Sequence, residues 1–280
     1  MKSDIRDLVG CLAGAVLIVG SFGSVAAENT QSGFAAVTYL GNVGVMVEQG
    51  ETKILFDPLF RDDYGQYQLV PEAMRDQLLN GSAPFDAIDA IFISHAHGDH
   101  FNAVDVIQFH TAHPEALIVA PQQAIDTMLA TGAVTDTLAA RFISMDMDYG
   151  AEPVSLPFAD LIVEAVRIPH AGGERRRPIQ NFAYRVTLEN TATVMHLGDA
   201  DPEAEDFGAY GDHWDGRETD MAFPPYWFFL SESGQAAVSS TLNAAEHIGV
   251  HVPIFVPKVL RDTGATYFSV PGEVRGFETE

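Results

Sequence analysis

The sequence predicts an α/β fold in which a sandwich of β-sheets is covered by helices on its outer faces. Three observations predict it. From Gly33 the chain runs through short segments rich in Val, Ile, Thr and aromatic residues, separated by turn signals in the manner of antiparallel hairpins. Its middle alternates apolar strand runs with segments of helical period, and its second half mixes strands and helices again. Hydrophobic residues make up 47% of the 280 positions, enough to offset the entropy of ordering a chain whose formal net charge is −24.

The opening strands are Ala35 to Leu40, Gly44 to Glu48 and Lys53 to Phe56, with Gly41-Asn42 and Gln49-Gly50 as hairpin turns. Residues 61 to 86 form a long polar connection with a short helix around Glu72 to Leu79; a loop of this length is often functional, and a lid is one reading. Residues 87 to 94 are nearly all apolar, as in a strand buried on both faces. Helical spacing follows in Ala103 to His110 and Gln122 to Leu129, with a strand at Ala116 to Ala120 between them. Strand patterns return at 152 to 169, 182 to 188 and 193 to 197. Met221 to Leu230 reads as an apolar core strand, Gln235 to His247 as a helix, and Val252 to Val256 and Thr266 to Val270 as the last strands.

The first 27 residues have the layout of a signal peptide: Lys2 and Arg6, an apolar run from Leu8 to Val19, and small residues at Ser24-Val25-Ala26-Ala27. The expectation is export to the periplasm or medium, with residues 28–280 as one domain and no stable membrane insertion after cleavage. Cys11, the single cysteine, sits ahead of most of the apolar run, unlike a lipobox cysteine. Its removal leaves neither disulfides nor thiolate ligands, so any metal must be held by His and carboxylates. The charge of −24 repels phosphate backbones and excludes nucleic acid as the expected partner, leaving a small-molecule substrate.

The chemistry is concentrated in Ser94-His95-Ala96-His97-Gly98-Asp99-His100-Phe101, where four metal-capable side chains lie within six positions at the end of a buried strand. Burying them together without a cation would be costly. In extended backbone His95 and His97 point the same way, and the turn at Gly98 lets Asp99 and His100 face a second position. Two further candidates end apolar strands beside glycines: His170 in Ile168-Pro169-His170-Ala171-Gly172, and Asp199 in His196-Leu197-Gly198-Asp199. A carboxylate at 199 has two oxygens with which to bridge two metals.

These residues resemble the metallo-β-lactamase superfamily, whose HxHxDH motif the run from His95 to His100 matches in full, and within it the hydrolases similar to ascorbate-6-phosphate lactonase. Val37-Thr38-Tyr39-Leu40-Gly41 and Ile54-Leu55-Phe56-Asp57-Pro58 look like the family's opening hairpin with its acidic residue. The resemblance implies an αββα sandwich, one or two Zn2+ ions with manganese or iron as alternatives, and hydrolysis of an ester, lactone or phosphoester. It assigns His95, His97, His170 and Asp199 to a first metal and Asp99, His100 and Asp199 to a second, with Asp99 also the candidate for orienting water or carrying its proton. One departure stands out. The family's last histidine is expected within Val252 to Pro257, where Phe255 or Pro257 takes its place. His251 precedes that predicted strand and His247 falls in a predicted helix; a local shift would let either substitute, and otherwise the second site is expected to be incomplete. Other readings therefore stay open: a metal-binding or sensing protein without catalysis, or a β-lactamase.

Four further residues are candidates for contacting substrate. Arg175, Arg176 and Arg177 follow His170 in a chain with only 15 basic residues and suit a substrate carboxylate or phosphate. His213 lies in a polar, Gly-bounded stretch after Asp199.

Overall fold

The computed structural model describes residues 33–279; the expected signal peptide and Cys11 lie outside them. Thirteen strands form two sheets. They are β1 (Gly33–Gly41), β2 (Gly44–Gln49), β3 (Thr52–Phe56), β4 (Ala90–Phe92), β5 (Leu117–Pro121), β6 (Phe142–Met145), β7 (Val154–Phe158), β8 (Leu161–Arg167), β9 (Phe182–Leu188), β10 (Ala192–His196), β11 (Thr219–Phe223), β12 (Ala244–His247) and β13 (Val274–Thr279). The first sheet runs β13-β1-β2-β3-β4-β5-β6 and the second β12-β11-β10-β9-β8-β7. Last in the chain, β13 returns to pair with β1, so the first sheet is closed by the C-terminal end of the domain.

Period-two alternation builds the layers. Val37, Val45, Ile54, Phe56, Ala90 and Phe92 point into the core between the sheets, where Tyr184, Val186 and Val194 of the second sheet meet them. Met46, Leu55 and Ile91 point the other way, onto helices α1 (Glu72–Asn80), α2 (Ala103–Ala112) and α3 (Gln122–Ala130). The outer face of the second sheet is covered by Phe207, Trp214 and Phe228, from short helical segments after β10 and β11. This is the mixed αββα sandwich that the sequence predicts.

Several expectations fail. Tyr226–Phe229 is a 3₁₀ turn, since Pro224 and Pro225 have no N–H for the ladder and end the strand at Phe223. The expected helix from Gln235 to His247 stops early. The chain turns at Asn243, whose φ is +47 and whose Nδ2 donates to the carbonyls of Trp214 and Arg217, and it continues as β12 parallel to β11. Residues 252 to 256 form no strand: Pro253 makes one isolated bridge to Tyr67, and Phe255 is 91% exposed. Residues 266 to 270 form no strand and make one isolated bridge, Gly249 to Tyr267. His110 of α2 and His113 at its C-terminal cap are buried, and His113 Nε2 lies 2.9 Å from the Leu78 carbonyl oxygen of α1.

Candidate metal centre

The ligand-bearing segments leave the ends of β4, β8, β10 and β12 at one edge of the sandwich. Asp57, just after β3 and fully buried, organises the first of them. Its Oδ1 accepts from the Ser94 N–H at 2.7 Å, and its Oδ2 accepts from the Ser94 hydroxyl at 2.5 Å and from His100 Nδ1 at 2.9 Å. Since the Ser94 hydroxyl proton goes to Asp57, its oxygen receives His95 Nδ1–H, 3.1 Å away. These bonds assign the tautomers and turn the Nε2 lone pairs of both His95 and His100 into the centre. On the second sheet, His170 Nδ1 donates to the Ala171 carbonyl at 2.6 Å, which leaves its Nε2 facing the same space.

Asp199 is placed by its neighbour. Gly198 has φ +55, and a Cβ there would lie 2.5 Å from Asn181 Oδ1 and 2.6 Å from Ser94 Cβ, so only glycine lets the two sheets approach at this point. Asn181 Oδ1 accepts from the Asp199 N–H at 2.9 Å, while its Nδ2 donates to the Leu197 carbonyl.

Two ligand sets result, sharing Asp199. In the first, His97 Nδ1 lies 3.0 Å from His95 Nε2 and 3.1 Å from His170 Nε2, and Asp199 Oδ2 lies 3.3 Å from His170 Nε2. In the second, Asp199 Oδ1 lies 3.1 Å from both His100 Nε2 and His251 Nε2, and Asp99 Oδ2 is 3.3 Å from His251 Nε2 and 3.7 Å from His100 Nε2. Ligands 2.0–2.1 Å from a tetrahedral ion are separated by about 3.4 Å. The buried His100 Nε2, His251 Nε2 and Asp199 Oδ1 have no hydrogen-bond partner, as expected of atoms whose lone pairs belong to a cation. The residues present therefore fit a pair of divalent ions.

His251 is the correction. Neither Phe255 nor Pro257 stands in the ligand position; Phe255 is exposed and Pro257 caps the helix Lys258–Thr263. His251 follows β12, takes φ +60, and is held by its N–H to the Asn42 carbonyl at 2.8 Å and by Tyr67, whose ring meets its imidazole edge-on at 4.1 Å. The expected helix over 235 to 247 gives way to β12, and the strand end so formed delivers His251, one of the two substitutes that the sequence offers.

Charge balance in the metal-free centre differs between the two sets. Burial, aided by the other imidazoles, pushes His95 well below the usual histidine value and His97 down to about 4. Burial acts the same way on His100 and His251, but Asp199 and Asp99 outweigh it and raise both. Asp199 is held well below the carboxylate range: burial opposes this, and His251 and His100 override it. Replacing Asp57 with Asn would set an amide N–H₂ against the Ser94 hydroxyl and His100 Nδ1–H. Metal affinity of the second set is expected to fall about 10- to 100-fold, read by chelator competition.

Residues 36–212 match the sequence profile of the beta-lactamase superfamily domain. The chain belongs to that superfamily. Over 165 residues it is 27% identical to a metal-dependent hydrolase of Pyrococcus furiosus, a match spanning 58% of this chain and 60% of that protein, less than two thirds of its length. Among solved structures it is similar in fold to a metallo hydrolase from Ignicoccus hospitalis, with TM-score 0.57 and 18% identity over 88% of this chain and 100% of that one. It is also similar to an isothiocyanate hydrolase from Delia radicum gut bacteria, with TM-score 0.60 and 14% identity over 87% and 99%. Superfamily membership and the ligand clusters together support a metal-dependent hydrolase.

As a beta-lactamase superfamily member the chain opens its centre to a cleft of about 360 Å³. Tyr64, Gln66 and Tyr67, from the connection after β3, form one wall and Arg176 another; His97, Asp99, Asp199 and His251 face it from the centre. Part of the long connection therefore lines the cleft, at residues 64 to 67, and the Ile254 N–H donates to the Gln66 carbonyl at 2.8 Å. Of the three arginines only Arg176 lines the cleft. Arg177 pairs with Glu174 at 2.9 Å, and Arg175 is exposed and does not line the cleft. His213 does not line the cleft either. It sits on the outer face of the second sheet, 3.7 Å from Glu164, in the cluster where buried Arg185 grips both Glu164 oxygens at 2.8 and 2.9 Å. The signal that singled it out, a polar Gly-bounded stretch, marks a short helix, Gly211–Asp215, packed through Trp214.

Proposed function

We propose that the protein is an exported hydrolase that holds two divalent metal ions and cleaves a small-molecule ester, lactone or phosphoester. One observation carries the reading: the two oxygens of Asp199 face different ligand sets, Oδ2 with His95, His97 and His170, and Oδ1 with His100, Asp99 and His251. Zinc suits the His-rich first set, and manganese or iron suits the same donors. Bound there, the ions would supply Lewis acidity and lower the pKa of water toward neutrality. The chain's own contribution is positional. Asp57 and Ser94 fix the imidazoles of His95 and His100, and Asn42 donates through Nδ2 to the Asp99 carbonyl at 3.0 Å. Asp99 presents Oδ2 to the second set while its buried Oδ1 has no hydrogen-bond partner, so this oxygen is available to accept a proton from the attacking water.

The metal-binding or sensing reading rests on an incomplete second site, and His251 offers a side chain for the position that Phe255 and Pro257 leave without a ligand. The charge of −24 supports a small-molecule substrate over nucleic acid. Export rests on residues 1–27 alone, and placement near the lactonase-like hydrolases rests on the motifs at 37–41 and 54–58. Among the described residues no helix is long and apolar enough to cross a membrane. The test is metal analysis combined with an esterase, lactonase and phosphodiesterase panel on wild type and His97→Ala. Turnover that disappears with His97 is expected. Metal bound without turnover of any substrate class would replace the hydrolase with a metal-binding protein.

A further inference from the structure

Arg176 is an unpaired cation in a strongly acidic protein. No carboxylate lies within 4.0 Å of its guanidinium among the described residues, although the chain carries 39 acidic side chains, and its neighbour Arg177 has already taken Glu174. Its path is built into the backbone. Gly172, two residues after His170, has φ +109, and a Cβ there would lie 2.9 Å from Arg176 Cδ and 3.0 Å from Nε. Glycine thus lets the arginine stem fold back across the loop toward the cleft. There it shares the walls with Tyr64 and Tyr67, whose side chains both feel its positive charge. An Arg fork beside two phenol groups is a donor set suited to a carboxylate or phosphate. None of these groups belongs to the two ligand sets, so none is needed to hold the metals.

We propose that Arg176, flanked by Tyr64 and Tyr67, is an anion-recognition site, and that the substrate carries a carboxylate or phosphate distinct from the bond that is cleaved. The inference rests on the hydrolase reading for the word substrate, but the site itself does not. In an otherwise acidic molecule one cation at the cleft mouth selects anionic substrates, which a surface of −24 would by itself repel. The structure also narrows the arginine run to one member.

The test compares monophenyl glutarate, an anionic ester, with the neutral phenyl butyrate on metal-loaded wild type, Arg176→Ala, Arg176→Lys and Arg175→Ala. The preference for the anionic ester, as a ratio of kcat/KM values, is expected to fall roughly 10- to 100-fold in Arg176→Ala. The fall should come through KM, recover in part in Arg176→Lys, and be absent in Arg175→Ala. A ratio unchanged in Arg176→Ala, or equally reduced in Arg175→Ala, overturns the proposal. If wild type cleaves neither ester, calorimetric binding of glutarate and of inorganic phosphate to the same proteins decides separately. Weaker binding of either anion to Arg176→Ala supports the site, and the stronger of the two identifies the anion. Equal binding to wild type and Arg176→Ala overturns it, whatever becomes of the hydrolase reading.

Discussion

Asp199→Ala is expected to lose both metal ions and to reduce turnover by more than about a thousandfold, since no other group in the centre lowers the pKa of water. Each of its oxygens is within 3.3 Å of a ligand imidazole nitrogen, so one truncation opens both sets. A second effect accompanies it. In the metal-free protein the Asp199 carboxylate offsets the buried His100 and His251, whose raised pKa values it causes in large part. Removing one partner of such a buried pair costs about 3–5 kcal/mol. Metal analysis should therefore show neither ion, and the chelator-treated variant should melt below chelator-treated wild type. Retention of a full complement of metal by Asp199→Ala would refute the bridging role.

His251→Ala is expected to bind one ion per chain and His247→Ala two. The first set keeps all four of its ligands, whereas the second is left with Asp99, His100 and a shared Asp199. The two ions should also respond differently to pH. His95 and His97 are depressed, His97 to about 4, so near neutrality they are already unprotonated and the first ion displaces few protons. His100 and His251 are raised, so below their folded pKa values they carry protons that the second ion must release. Second-site affinity should then increase as pH rises toward those values and level off above them, with proton release that vanishes from the titration of His251→Ala. Identical pH slopes for the two ions in wild type would contradict the assigned sets.

The first four ligands were legible because they are contiguous. His95 to His100 follow one apolar strand, and a strand end followed by a turn is a local pattern. The sandwich was legible for the same kind of reason, since alternation in β1 to β4 sends Val37, Ile54 and Phe92 to one face and Leu55 and Ile91 to the other. His251 was not. Its position depends on Asn243 breaking a helical pattern and on the Asn42 carbonyl receiving its N–H from far along the chain. Asp57 was visible as the acidic residue of the opening hairpin, but its grip on Ser94 and His100 is a tertiary contact that spacing does not encode. The same holds for the arginines. Three adjacent residues of one type gave no hint that a glycine at 172 would aim only the middle one into the cleft.

The ligands come from opposite halves of the sandwich: His95, His97, Asp99 and His100 follow a strand of the first sheet, and His170, Asp199 and His251 follow strands of the second. An ion held among them acts as a cross-link between layers whose contributing segments are far apart in the chain. For a covalent link closing a loop of about 100 residues, the loss of denatured-chain entropy is worth about 4.7 kcal/mol. This chain has a single cysteine, at position 11, and so no disulfide of its own to do this. Metal supply would then govern the lifetime of the protein as well as its chemistry, with proteases finding the seam between the sheets first when the metal is withdrawn.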